Sequence, residues 1–156
     1  MSGNIVTRMA DFTETLLYGE AAKQMGAICY RRGDSGVEVL LITTRETGRW
    51  TIPKGWPIRG LKSHKAAEQE AWEEAGVKGR ARRKVFGKFT YVKTLVTGVN
   101  VRATVDVHLL DVRRTRSRFP ERGQRKLKWF RPLDAASRVD ETELKILLSK
   151  VAKRFS

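Results

Sequence analysis

Two periodicities divide the chain. Val37–Thr44 (VEVLLITT) is apolar and β-branched and reads as a strand, paired through the Gly33-Asp34-Ser35-Gly36 turn with the apolar-to-basic stretch Met25–Arg32. Trp50-Thr51-Ile52 is a strand fragment stopped by Pro53, and Val85–Val92, Val99–Val112 and Leu127–Phe130 are further strands. Within Val99–Val112, the apolar Val99, Val101, Ala103, Val105, Val107 and Leu109 alternate with mostly polar residues, the mark of a half-buried strand. Helical spacing predicts two helices. Ser63–Ala75 has Ser63 as its expected N-cap and Gly76 as its stop, and Asp140–Phe155 carries Leu144, Leu147, Leu148 and Val151 on one side. Lys54–Lys62 is expected to be a loop, Arg113–Lys126 a basic connection, and Pro132 the opening of a turn. Residues 1–23 show weak periodicity and are expected to form an arm or short helix. Mixed strands around a central and a terminal helix predict an α/β or α+β sandwich.

With 156 residues and 40% hydrophobic content, the whole chain 1–156 is expected to fold as one domain. Its longest clean apolar run, Val39–Ile42, falls far short of the ~20 residues of a membrane helix, so no membrane association is expected. The first residues lack a secretory pattern, and the single cysteine, Cys29, has no internal partner; a cytoplasmic, reducing setting is expected. A net charge of +15 favours anionic partners: nucleic acid, nucleotides, polyphosphates or an acidic membrane surface, although surplus Lys and Arg also simply keep a protein soluble. The basic residues recur along the chain and form no tail.

The segment Gly55–Val77 (GWPIRGLKSHKAAEQEAWEEAGV) carries the chemistry. On a helix, Glu70 and Glu74 (i, i+4) lie one above the other, Glu73 is displaced to their side, and Ala67, Ala71 and Ala75 form an adjoining stripe. The acid pair therefore borders the face that packs on the sheet. Like charges at this spacing cost a helix roughly 0.2–0.5 kcal/mol per pair, and acids near its C-terminus oppose the macrodipole. A hard divalent cation such as Mg²⁺, taking oxygen ligands, relieves both penalties. An isolated acidic triplet of this kind is more often a solvated helix face.

The segment resembles the box of the Nudix hydrolase family, G-x5-E-x7-R-E-U-x-E-E-x-G-U. Gly55 falls on its first glycine, Glu70, Glu73 and Glu74 on its three helical glutamates, and Gly76-Val77 on its end. Leu61 stands where the box has its first glutamate, Gln69 where it has arginine, and Ala71 where it has a bulky apolar residue. Loss of both members of the glutamate–arginine couple leaves no unpaired charge. Outside the box, GAICYRR, VEVLLITTRETGRWTIPKGW and QRKLKWF are similar to the diphosphoinositol polyphosphate phosphohydrolase and diadenosine polyphosphate hydrolase branch, over roughly residues 24–150.

The resemblance implies an α/β/α sandwich with a mixed sheet and a catalytic loop-helix-loop. It implies Mg²⁺- or Mn²⁺-dependent cleavage of a phosphoanhydride in a phosphorylated small molecule, a diphosphoinositol or dinucleoside polyphosphate. By family position, Glu70, Glu74 and the carbonyl of Lys54 are metal ligands, and Glu73 is the general base. Arg45, Arg49 and Arg59, with Lys54, are candidates to clamp phosphates, each alternatively a solvated loop cation. Lys62 and Lys65, at the helix start, are candidates to steer anions, Lys65 alternatively a plain surface cation. Asp106 is a candidate extra ligand, with a surface-facing strand aspartate the safer reading; His108 is expected to be packed or solvated. Trp50, Trp56 and Trp72 are expected to be structural, with Trp56, in the box loop, also a candidate pocket residue, and Trp129 is expected in the core. RNA 5′-pyrophosphate hydrolysis and a non-catalytic polyanion-binding module are the alternatives.

Overall fold

A computed structural model describes residues 22–156. The expected arm over residues 1–23 lies almost wholly outside the described residues. The elements are β1 (Ala22–Gly33), β2 (Gly36–Thr43), β3 (Trp50–Thr51), β4 (Lys54–Gly55), α1 (Ser63–Ala75), β5 (Val77–Ala81), β6 (Gly87–Thr94), β7 (Asn100–Thr115), β8 (Leu127–Phe130), α2 (Pro132–Arg138) and α3 (Thr142–Arg154).

The strands form one mixed sheet. Its main order is β3-β2-β1-β7-β5, with β4 pairing β1, β6 pairing β7 and β8 pairing β2. Among the described residues only β1 and β7 run parallel; the other ladders are antiparallel. Side chains alternate across each strand and build two cores. Ile28, Val39, Leu41, Phe89, Val107 and Leu109 pack beneath α2 and α3, which contribute Ala135, Leu144 and Leu148. Ala27, Cys29, Leu40, Ile42 and Leu110 pack on the opposite side beneath Ala67, Ala71 and Ala75 of α1. The result is the expected α/β/α sandwich.

Three elements and one helix cap depart from the sequence reading. β5 was not expected, because VKGRA has neither alternation nor a long apolar run; the 16-residue β7 templates it through a register shift at Lys78/Gly79. Lys54–Gly55, expected to be loop, forms the two-residue strand β4 against Met25 and Gly26. The turn expected at Pro132 is a seven-residue helix with proline in its first turn, too short to show a period. Ser63 is not the N-cap of α1: that position is Lys62, with no side-chain cap. At the other end Gly76 does stop α1, at φ 67°, donating its N–H to the Ala71 and Trp72 carbonyls.

Candidate active site

The apolar contact of helix α1 with the sheet is made by methyl groups: Ala67, Ala71 and Ala75 are at most 4% exposed. This close approach lowers Glu70 and Glu74 into the protein, where they are 3% and 7% exposed. The Glu70 carboxylate lies directly over β4. A methyl group built on Gly55 would stand 2.3 Å from Glu70 Cδ and Oε1, so any side chain there would push the carboxylate aside.

Glu74 faces the other end of β4. Its Oε1 accepts the Lys54 N–H at 3.2 Å, and its Oε2 lies 3.7 Å from an Arg125 guanidinium nitrogen. Arg125 also holds Glu121 Oε1 at 2.9 Å and donates to the Thr43 carbonyl at 3.2 Å. Burial pushes the Glu74 carboxyl up to about 7, against the pull of Arg125 and Lys54. Burial likewise lowers the Lys54 ammonium to about 8; its Nζ sits 4.7 Å from the centre of the Tyr91 ring. Glu73 is half-buried, and its Oε2 accepts the Gln69 amide at 2.7 Å. Gln69, in place of the box arginine, thus orients Glu73 without adding charge.

These groups line a cleft of about 1660 Å³. Glu70, Glu73 and Glu74 stand on its α1 wall, with Arg45, Lys54, Arg59, Lys65, Lys93 and Arg125 around them. Arg45 donates to Gln124 Oε1 at 3.0 Å. Arg49 is placed differently: it lines a smaller annexe with Arg45, Lys54 and Arg125, bonded to Thr47 and 3.6 Å from Asp140. Trp56, Leu61 and Trp72 supply apolar surface. Lys62 is exposed and stands outside the lining.

Among the described residues no group of three or more His, Cys, Asp or Glu is assembled for a metal. Two buried carboxylates facing an open cleft do not suit a closed four-ligand site. They suit a hard cation that keeps several waters, for which one or two carboxylates suffice. The raised proton affinity of Glu74 makes the same point, since a carboxylate that is costly to charge in isolation gains most from a cation beside it.

Asp106 is not part of this lining. It is 7% exposed, neither a cleft ligand nor a solvated strand residue, and lies between Lys23 (3.5 Å) and Lys88 (3.6 Å). His108 is packed, 1% exposed. Its Nδ1 faces the Arg82 carbonyl at 2.7 Å and must donate, so in the neutral ring Nε2 accepts the Ser63 hydroxyl at 2.7 Å. Ser63 therefore anchors the start of α1 to β7 instead of capping it. Trp129, expected in the core, is half-buried at its margin: it packs against the core beneath α1, with the Arg31 guanidinium 3.9 Å from its ring. Sequence reasoning missed Arg125. Its surroundings in the basic 113–126 connection gave no pattern to single it out, although it belongs to the QRKLKWF stretch.

The NUDIX domain family model matches residues 22–150. The chain belongs to the Nudix family. An Ap4A hydrolase from C. elegans, solved as a binary complex, is similar at 23% identity and a TM-score of 0.63, covering 86% of this chain and 97% of its own. RenU, a Nudix hydrolase from M. smegmatis, gives 14% and 0.51, covering 85% of each chain. A Listeria monocytogenes protein described as a NUDIX hydrolase gives 12% and 0.54, covering 84% of this chain and 92% of its own. These identities carry the likeness in fold. No curated protein matches the chain. Glu70, Glu73 and Glu74 of this Nudix protein lie on the helix of the box, and Gly55 stands at the box's start, beneath Glu70.

Proposed function

We propose that this Nudix protein is a Mg²⁺-dependent pyrophosphohydrolase, with Mn²⁺ as a substitute, that cleaves a phosphoanhydride in a highly anionic substrate. Diphosphoinositol and dinucleoside polyphosphates are the leading classes. The observation that carries the reading is the buried Glu70/Glu74 pair in a cleft that also gathers Arg45, Lys54, Arg59, Lys65, Lys93 and Arg125. Glu70, Glu74 and the Lys54 carbonyl would hold the ion, which when bound neutralises phosphate charge and acidifies water.

The chain's own groups do the rest. Glu73 takes the proton from the attacking water at Oε1, because Oε2 already accepts the Gln69 amide. Arg45, Arg59 and Arg125 grip phosphate oxygens, and Lys54 contributes a point charge close to the acids. Arg49 acts from the annexe, extending the positive field toward the far end of a long substrate. Trp56 and Trp72 offer faces for a base or another apolar moiety. The lone buried thiol, Cys29, is compatible with the reducing, cytoplasmic location we assign.

A panel assay tests this. Hydrolysis is measured with Mg²⁺ and Mn²⁺ on diadenosine polyphosphates, nucleoside triphosphates, diphosphoinositols and 5′-triphosphorylated RNA. Turnover of at least one polyphosphate is expected, with Glu73→Gln and Glu74→Gln each lowering kcat by at least about 100-fold. Wild-type rates in both variants would overturn the residue roles. The substitutions at Leu61 and Gln69 favour a second reading, a polyanion-binding module, which requires salt-sensitive binding without turnover of any substrate.

A further inference from the structure

Among the described residues the sheet ends at β5, which pairs only with β7. Three depressions meet around this edge. Lys78 and Gly79, part of the main cleft's lining, also line a second depression of about 550 Å³ with Arg80, Arg113 and Arg114. Arg80 and Arg113 continue into a third, of about 710 Å³, with Arg82, Arg83 and Lys84. The third shares Lys65 and Glu68 with the main cleft, so the belt returns to where it began.

The belt is strongly cationic. No acid lines the second depression. Of the acids lining the third, Asp111 lies 3.6 Å from Arg113, while Glu68 holds Lys65 at 3.2 Å and accepts the Ala81 N–H. Among the described residues, Lys78, Arg80, Arg82, Arg83, Lys84 and Arg114 form no ion pair, and all are exposed. Basic residues on an edge strand deter pairing with another sheet. Here they continue past the strand through Arg82–Lys84 and Arg113–Arg114, further than edge protection requires.

The arrangement is linear. Five residues of strand span about 16 Å at ~3.3 Å per residue, beyond what a single compact anion covers. Where the belt joins the cleft, Lys78 lies 4.5 Å from the Trp72 ring, so the line of cations leads to an aromatic side chain, the type of residue on which single-stranded bases stack once the cation moves to a phosphate. A membrane surface is less well served, because none of the large exposed hydrophobic residues lies on this edge. We infer that the β5 edge binds single-stranded nucleic acid, its phosphates running across Arg80, Arg113 and Arg114 and its end entering the cleft past Lys78. Delivery of that end to the acids rests on the function proposed above; the binding surface does not.

Fluorescence anisotropy tests it, with the full chain in EDTA and a 3′-labelled single-stranded RNA of roughly 15 nucleotides. The triple variant Arg80→Ala/Arg113→Ala/Arg114→Ala is compared with Lys150→Ala/Lys153→Ala/Arg154→Ala, which removes equal charge from α3. The edge variant should bind at least about 10-fold more weakly, with a salt slope shallower by about 2. The α3 variant should stay within about 2-fold of wild type. Equal losses in the two variants would reduce the effect to net charge and overturn the proposal, as would unchanged binding in the edge variant. So would stronger capture by phosphatidylserine–phosphatidylcholine vesicles, lost through the same edge substitutions. Diadenosine tetraphosphate hydrolysis should stay within about 2-fold of wild type in the edge variant. Because EDTA removes any turnover from the binding experiment, a protein that hydrolyses nothing would refute the enzymatic reading and leave the binding result standing.

Discussion

Gly55→Ala should disable the site while leaving the fold in place. The added methyl would lie 2.3 Å from Glu70 Cδ and Oε1 and 2.7 Å from Oε2, where ordinary contact begins at about 3.4 Å. Gly55 cannot retreat freely, because β4 is paired to β1 at Met25 and Gly26. The Glu70 carboxylate must therefore move by about 1 Å. A misplacement of that size in a catalytic constellation costs on the order of 100-fold in rate. Because only the end of a flexible side chain has to give way, the cost in stability should be small, under about 1 kcal/mol. Three measurements separate site from fold: kcat on the best substrate of the panel, the Mg²⁺ concentration giving half-maximal rate, and Tm. We expect kcat to fall about 100-fold and the Mg²⁺ midpoint to rise, with a cooperative melt retained. Glu70→Asp withdraws the carboxylate by about one bond, roughly 1.5 Å, and in the double variant should return part of the lost metal affinity. Wild-type kcat and Mg²⁺ dependence in Gly55→Ala would refute the idea that Glu70 holds the ion from this position.

Glu74 gives a pH dependence. Its folded value of about 7 lies above the ordinary 4.5, so the metal-free folded protein binds more protons than the unfolded chain between these values. The stability contributed by this group is complete below about 4.5 and is lost as pH rises through about 7. In EDTA, the Tm of wild type should fall relative to Glu74→Gln between these two pH values, and a constant difference would count against it. Mg²⁺ affinity should rise over the same interval, as the carboxylate becomes free to bind metal. Arg125→Met leaves Glu74 and Glu121 without their shared cation; the loss should be up to roughly 3–5 kcal/mol, partly restored by saturating Mg²⁺ in thermal melts. Ser63→Ala removes the donor to buried His108 and should cost roughly 1–3 kcal/mol with kcat unchanged; a fall in kcat without a fall in Tm would contradict its anchoring role.

Elements with their own periodicity were legible in the sequence. Ser63–Ala75 has the same bounds in the structure, because alanine, glutamate and a terminal glycine all favour the same helix. Leu127–Phe130 is likewise unchanged. β5 was illegible because its strand character comes from β7, far along the chain, and α2 because seven residues hold barely two turns. The acidic pair could be read because i, i+4 spacing fixes its geometry locally. Arg125 could not, since its place beside Glu74 is set by a loop that folds back from 51 positions away. That loop is tied down by backbone bonds, from Arg116 N–H to the Gly76 carbonyl and from Glu121 N–H to the Glu73 carbonyl, which no residue pattern announces.

The alanine seam under α1 has a consequence for how such a protein can vary. The depth at which the acids sit is fixed by the gap between two layers and not by any loop. Replacing one seam methyl with a larger side chain would act like a shim, lifting both carboxylates away from the strand backbone together. The rate of the chemistry and the thickness of the interior are thus adjusted by the same few atoms, and neither can drift without the other.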